Sequence, residues 1–581
     1  MRTNRKTDEK KMSMNKNIAR LAVTAGLTAA LSFGGVMAPV TMAFAEDGGS
    51  TASANSITIT RNENYGVTKF KAYQIFKADV ADPTEAGATD KIISNVKWAF
   101  DDQEIQKAII DAINGCHLNA LNSNASAQDV ADWLTANAKN TTKETRVDKD
   151  SVLNKIAKVV KDKVTPTGNP FNAGTAFEPK NADHTPNTGY YLFLTDDTAI
   201  GQSTENKKNT GTSPIFAVVG GSPVVVAEKT SIPTVDKQVR EGDAWGKVSD
   251  SQIGEKIDYK LIGTVADNID TFVTYKYEFQ DHLSVGLEAD KDSVAVTIDG
   301  KTVQPADNYS VQVTDTKDES NKVTGHDLTI SFIDLKAAAK ASNVVLTKQS
   351  KVVVTYKARL TSDAEYTATG NTNEVKLVYS NNPMTSDTGT STPKEVTDYV
   401  FGLDITKVEE GNQDKKLVAG FKVKVVNNGD SESAGKWLTN NGTLVRTEEE
   451  ASEFMTDNAN GKVFIPGLVA GTYEITETTT PSGYDTIAPF RITVTPAYNA
   501  GGELSGLTVS DTSNMVNSEQ TNESVTTTEI PVIIKNKKSF GLPLTGLNGV
   551  TFTWIAGGAV LCIGVAHLIR SRKQAEESEQ E

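Results

Sequence analysis

The sequence predicts a mainly β chain: tandem β modules, the first carrying helical insertions, between two apolar terminal stretches. Short segments that alternate apolar and polar residues recur between turn residues, and 43 glycines with 7% aromatic residues suit many-turned β modules. A helical period is confined to one region near the N-terminus. At 581 residues, the length fits three or four domains.

Both ends read as export and anchoring segments. Arg2, Arg5, Lys6, Lys10, Lys11, Lys16 and Arg20 precede an apolar stretch over residues 21–43, and Ala43-Phe44-Ala45 is a small-x-small cleavage site before Glu46. Residues 1–45 are therefore predicted to be a signal peptide. Residues 541–581 contain Leu542-Pro543-Leu544-Thr545-Gly546, an apolar run over 550–569 long enough to span a bilayer as a transmembrane helix, and then Arg570, Arg572 and Lys573. Of the two cysteines, Cys116 and Cys562, only the first lies outside that span, so a disulfide is not expected to staple the exported chain.

Residues 46–228 form the first predicted module. Ser56-Ile57-Thr58-Ile59-Thr60 alternates as a strand, and residues 68–76 do so again after the turn at Asn64-Tyr65-Gly66. The period then changes. Ile105, Ile109 and Ile113 recur every four residues, Ser126 stands three before Asp129 as in a capping box, and Val152, Ile156 and Val159 keep helical spacing. Two or three inserted helices are expected before strands return at Gly189-Tyr190-Tyr191-Leu192-Phe193-Leu194, at 215–219 and at 224–226.

Residues 229–395 form the second. In Val235-Asp236-Lys237-Gln238-Val239 the alternation puts Lys237 on the face of two valines, the face that should be buried. A lone ammonium there must pair, lose its proton or react. Strands are expected at 271–279, 294–298, 327–332 and 351–358, with Asp281 at a strand end and Asn373 sharing a face with Val375, Leu377 and Tyr379 in the closing strand. Asn371 has the same parity and is the substitute for Asn373.

Residues 396–540 repeat the logic. Lys407 is in register with Leu403 and Ile405, Glu477 shares a face with Tyr473 and Ile475, and Asn536 has the parity of Val532 and Ile534. Each of these two modules offers an inward lysine near its first strand, an acid in the middle and an asparagine in its last strand. In the first module, aligning Gly189-Tyr190-Tyr191 with Gly471-Thr472-Tyr473 puts Thr195 where Glu477 stands. Asp196 is one position off and on the opposite face, so Lys69 and Lys71 are read as ordinary strand lysines.

The order of LPXTG motif, apolar span and basic tail resembles the sorting signal of Gram-positive surface proteins. The segments TVDKQV, QDHLSVGL and NTNEVKLVYSNNP resemble the fimbrial isopeptide-forming domain family, and YEITETTTPSGY resembles the E-box of a CnaB-type domain. Taken together, the chain resembles a backbone pilin of sortase-assembled pili. The resemblance implies immunoglobulin-like sandwiches and amide bonds Lys237–Asn373 and Lys407–Asn536, promoted by Asp281 and Glu477 as catalytic acids. It also implies cleavage between Thr545 and Gly546 by a sortase, and transfer of the Thr545 carbonyl to an amine. Backbone pilins of this kind carry the accepting lysine in a YPK-like motif before the second domain. Here Val224-Val225-Val226-Ala227-Glu228-Lys229-Thr230 puts Lys229 in that place without the aromatic and proline, and Lys247 is the alternative.

The chemistry follows from the residues as well. Desolvation favours the uncharged amine, which is the nucleophile, and a carboxyl in the same apolar setting tends toward its protonated form, able to polarise the asparagine amide. A buried Lys-acid ion pair with asparagine hydrogen-bonded nearby gives the same spacing. The reaction alone explains why asparagine recurs where a hydrophobe would serve.

A net charge of −15 argues against nucleic acid. There is no Gly-rich phosphate loop, and the five histidines are scattered, so no cofactor and no metal are expected and the chain is not read as an enzyme. The expected partners are sortase, identical subunits, peptidoglycan, tip or accessory pilins and host surface ligands, with membrane contact only before sortase cleavage. The expected location is the cell surface, as a wall-anchored pilus. The rival reading is a monomeric wall-anchored adhesin that binds a host or matrix ligand itself.

Overall fold

Every second side chain of a strand shares a face, so Lys256–Thr264 buries Ile257, Tyr259 and Leu261 on one side. The computed structural model describes residues 53–84, 91–117, 120–138, 147–201, 203–204, 207–305, 307–515 and 525–539, and in it such strands dominate. The expected signal peptide at 1–45, the Leu542–Gly546 motif, the apolar run 550–569 and the basic tail lie outside the described residues. The chain divides into two units, residues 1–400 with 498–504, and residues 401–497 with 505–581.

The first unit begins with a sheet in the order Ile92–Trp98, Lys69–Ala81, Gly189–Thr195, Ile215–Val219. Its strand Gly189–Thr195 (GYYLFLT) is buried on both faces, hence its unbroken apolar run. Tyr191 and Phe193 pack with Ile57, Ile59 and Phe177 of a three-stranded sheet, in which Ile57–Thr60 runs parallel to Val224–Ala227. Tyr190, Leu192 and Leu194 face three helices, Gln103–Asn114, Ala127–Asn137 and Val152–Lys163, through Ile109, Ile113, Val130, Leu134 and Ile156. The expected capping box is present, with Ser126 and Asp129 bonding each other's backbone N–H. Alternation over 68–76 holds only as far as Ala72. A bulge between Gln74 and Phe76 then shifts the parity, and helices cover the face left over.

Two face-to-face sheets follow in the same unit. One runs Ala244–Gly246, Val235–Glu241, Lys256–Thr264, Lys351–Leu360, Leu287–Ile298, Lys301–Val303. The other runs Val248–Asp250, Lys394–Tyr399, Asn371–Ser380, Tyr277–Ser284, Val323–Phe332, Ser310–Lys317, and one continuous core fills the space between them.

Two expectations are corrected here. The strand expected at 271–279 starts at Tyr277, because Ile269–Thr271 is a 3-10 turn and Phe272 and Tyr275 enter the core from a loop. Asp281 consequently sits mid-strand rather than at a strand end. Nor does Asn371–Ser380 close the unit, since Lys394–Tyr399 pairs back onto Asn371–Val375. A short alanine-rich helix, Leu335–Ala341, N-capped by Asp334, was not anticipated.

In the second unit, Phe401–Glu409 pairs antiparallel with Lys462–Leu468 and parallel with Glu529–Asn536, joining the first and last strands of the unit. The facing sheet contains Gly420–Asn427, Gly471–Thr479, Phe490–Tyr498 and Leu504–Asp511.

Leu192 is fully buried and Lys69 is exposed. Leu192→Ala should therefore destabilise the chain by about 2–5 kcal/mol in denaturant melts, against about 0.5 kcal/mol or less for Lys69→Ala.

Candidate functional site

Inward parity brings the predicted residues together in two separate clusters. In the first unit, Lys237 and Tyr356 come from one sheet and Asp281 and Asn373 from the other, so the cluster bridges the sandwich core. Asp281 and Asn373 lie on neighbouring strands, in register with Val375 and Leu283 respectively. The Lys237 and Asp281 side chains are wholly inaccessible to solvent and ion-paired. Lys237 Nζ also donates to Asn373 Oδ1 at 2.7 Å, and it lies 5.5 Å from the centre of the Tyr259 ring and 5.7 Å from that of Tyr356.

The second cluster has a different geometry. Lys407 and Asn536 lie on adjacent parallel strands, Lys407 opposite Ile534 and Asn536 opposite Glu409, and Glu477 reaches them from the facing sheet. The side chains of Lys407 and Glu477 are fully buried, with Nζ and Oε1 2.7 Å apart in an orientation that does not align them for a hydrogen bond. Asn536 Nδ2 donates to Glu477 Oε2 at 3.1 Å and to the Asp485 carbonyl at 2.9 Å. Glu477 Oε2 also accepts from the Ile487 N–H at 3.0 Å. Asn536 Oδ1 has no hydrogen-bond partner among the described residues.

Burial decides the charge states. Desolvation pulls the pKa of Lys237 down from 10.5 to about 8 despite the opposing pull of Asp281, and it does the same to Lys407 against Glu477. Desolvation also raises Asp281, outweighing Lys237 and the Tyr356 hydroxyl. Each lysine thus has a much larger neutral fraction near neutral pH than an ordinary lysine, and the neutral amine is the state that can act as a nucleophile.

The contrast with the first module is instructive. Asp196, expected to face away, is buried, and its Oδ1 lies 2.8 Å from Lys71 Nζ. Strand parity does not govern it, because it sits just past Gly189–Thr195 and caps the 3-10 turn Asp197–Ala199. Its hydrogen bond raises the pKa of Lys71, whose side chain is partly exposed, so this lysine stays protonated.

Asn371, the substitute for Asn373, is also buried. Its Oδ1 accepts from the Glu365 N–H, and its Nδ2 donates to the Glu365 and Asp398 carbonyls. Asn373, not Asn371, is therefore the asparagine within reach of Lys237. Lys229 is half-buried in the connector after Val224–Ala227; its N–H donates to Thr212 Oγ1 and its carbonyl accepts from Asn268 Nδ2. Lys247 Nζ is held 2.5 Å from both Asp236 Oδ1 and the Lys237 carbonyl. Cys116 carries a free thiol. Among the described residues no group of His, Cys, Asp and Glu could hold a metal ion, and no helix is long and apolar enough to cross a membrane.

One member of the first cluster was missed. Tyr356 shares the inward parity of Val352 and Val354 and reads as core, yet its hydroxyl touches Lys237, Asp281 and Asn373. Its signal in the sequence was a polar tip in an otherwise aliphatic row.

Residues 402–503 match the family model of the SpaA prealbumin-like fold domain. The chain is 25% identical over 261 residues to the trypsin-resistant surface T6 protein of Streptococcus pyogenes serotype M6, an alignment covering 44% of each chain. It thus spans less than half the length of this curated relative. Among solved structures, the T6 backbone pilin of serotype M6 Streptococcus pyogenes aligns at 15% identity with a TM-score of 0.46, covering 84% of this chain and 100% of that one. The Corynebacterium diphtheriae major pilin SpaA aligns at 15% identity with a TM-score of 0.42, covering 83% and 100%.

The lowered lysine pKa values set a pH dependence of stability for any chain in which both lysines are free amines. With Asn373→Ala and Asn536→Ala, both lysines remain free amines, and between about 8 and 10.5 they are protonated when unfolded and neutral when folded. The unfolded state then binds more protons, so stability should rise from pH 8 to about 9.5 in denaturant melts. Replacing both lysines by methionine in that background should remove the slope.

Proposed function

Given the relationship to the T6 surface protein, we propose that this chain is the structural subunit of a covalently polymerised surface pilus, stiffened internally by amide bonds Lys237–Asn373 and Lys407–Asn536. The observation that carries the reading is the pair of buried lysines, each with lowered pKa and each grouped with an acid and an asparagine. An ion pair alone is a poor use of such a site, since taking two charges out of water costs about as much as their attraction returns. Consuming the lysine removes that cost permanently.

In the reaction, neutral Nζ attacks Cγ of the asparagine, forming a C–N bond as the bond to Nδ2 breaks and ammonia leaves. The acid holds the amide, accepts the surplus proton of Nζ and returns one to the departing nitrogen. The fully buried setting excludes water, the competing nucleophile. Each bond closes a loop of about 130 residues and, on the loop-entropy estimate used for disulfides, stabilises its module by about 5 kcal/mol.

The rest of the reading follows from the ends of the chain. Residues 1–45 direct export, and a sortase cleaves between Thr545 and Gly546 in the motif Leu542-Pro543-Leu544-Thr545-Gly546. The enzyme then passes the Thr545 carbonyl to Lys229 of another subunit or to peptidoglycan, and residues 550–569 hold the precursor in the membrane until cleavage. The modules of the exported subunit are residues 46–228, 229–395 and 396–540, with the last boundary moved to between Val400 and Phe401 because Lys394–Tyr399 pairs with Asn371–Val375. The surface location given by the T6 relative's name supports this destination.

Two outcomes are expected. The intact mass of the mature chain should fall short of the sequence mass by about 17 Da per bond, one ammonia each, and Asp281→Ala or Glu477→Ala should each restore one such increment. A full sequence mass in the unaltered chain contradicts the reading. Lys229→Arg keeps the charge but removes a usable nucleophile. It should collapse the high-mass ladder of wall extracts to monomer, and a persisting ladder would move the acceptor to another residue such as Lys247.

A further inference from the structure

The two clusters differ in how the acid reaches the amide. In the second unit Glu477 Oε2 accepts directly from Asn536 Nδ2 at 3.1 Å. In the first unit a hydroxyl stands between them: Asn373 Nδ2 donates to Tyr356 Oη at 2.7 Å, and Tyr356 Oη donates to Asp281 Oδ2 at 2.6 Å. Lys237 Nζ lies 3.3 Å from the same oxygen and is paired to Asp281 through Oδ1. Nucleophile, acid, hydroxyl and leaving nitrogen therefore form a closed ring of contacts, wholly buried.

We propose that Tyr356 is a catalytic residue of Lys237–Asn373 bond formation, relaying the proton from Asp281 to the departing nitrogen. The proposal rests on the isopeptide reading above and adds a residue to it. Asp281 first takes one proton from the Lys237 ammonium, leaving the neutral amine. Nζ then bonds to Asn373 Cγ, and in the tetrahedral adduct Nδ2 becomes pyramidal and gains a lone pair. Tyr356 gives its proton to Nδ2 while taking one from Asp281, the C–Nδ2 bond breaks, and ammonia departs. Asp281 is reprotonated by the surplus proton on Nζ. The products are the amide, ammonia, a neutral Asp281 and an unchanged Tyr356, so atoms and charge balance.

A hydroxyl suits this task because it donates and accepts at once. Burial and the neighbouring Asp281 hold the Tyr356 phenol above its usual range, which keeps it neutral. Its ring stacks on Tyr259 with centroids 5.3 Å apart, which fixes the direction of the hydroxyl. In the second unit the amide nitrogen of Asn536 needs no such bridge to its acid. There the lysine lies 5.2 Å from the Phe421 ring, and the acid serves the amide unaided.

The test follows nascent mature chains from cell-free translation, sampled over time and mapped by peptide mass spectrometry. Tyr356→Phe should slow Lys237–Asn373 linkage about 100-fold while Lys407–Asn536 forms at its usual rate in the same molecules. Linkage of Lys237 to Asn373 at the unaltered rate would overturn the relay and leave the isopeptide reading standing. Absence of that link in the unaltered chain would overturn both. Where circular dichroism shows that Tyr356→Phe does not fold, 3,5-difluorotyrosine at the same position replaces it, keeping the ring and hydroxyl but making the hydroxyl more acidic. The relay requires a changed linkage rate at Lys237 alone, and an unchanged rate there overturns it.

Discussion

A primary ammonium inside a β-sandwich core is unstable as a charge, and most of what is distinctive about this chain follows from having two of them. Water is excluded at Lys237 and Lys407 by tyrosine, phenylalanine and aliphatic side chains, and an acid, Asp281 or Glu477, is ion-paired to each. The acids lower the cost without cancelling it, and both lysines remain well below their ordinary pKa. Lys71 marks the other limit. A partly exposed ammonium with its own aspartate is raised, not lowered, and stays an ordinary ion pair.

The two clusters meet this constraint with different architecture. In the first unit the lysine and asparagine belong to opposite sheets, so a bond between them would rivet the two layers through the core. In the second they sit on adjacent parallel strands at the beginning and end of the unit, so a bond would lock one ladder. The acid reaches the asparagine amide nitrogen through Tyr356 in one case and directly in the other. What the clusters share is the grouping of amine, acid and amide away from water. If both amide bonds form, the mechanical result is the same in each unit: tension entering at the lysine would leave at the asparagine, and the strands between would carry little of it.

Strand parity made much of this legible. A period of two fixes which side of a strand a residue takes, and Lys237, Asn373, Lys407, Glu477 and Asn536 all point inward as their neighbours required. Parity fails where the strand does. Asp196 lies one residue beyond a strand and turns inward, and the 3-10 turn at 269–271 makes residues 271–279 look like a strand that begins six residues later. Pattern also says nothing about which strands become neighbours. Parity within 351–358 would put Tyr356 on the face of Val352 and Val354, but its closeness to Asn373 depends on two sheets packing at one register. Gly189–Thr195 shows the same limit, since an unbroken apolar run does not tell which face helices cover and which face a second sheet covers.

The central claim is that these lysines are covalent load-bearers, and stretching a single mature chain from its two ends tests it most directly. If the bonds are present, the segments between Lys237 and Asn373 and between Lys407 and Asn536 contribute no unfolding extension at forces that open ordinary sandwiches. Chains carrying Asp281→Ala and Glu477→Ala should then release about 45 nm for each loop of about 130 residues, near 3.5 Å per residue. Steps of that size in the unaltered chain would contradict the account.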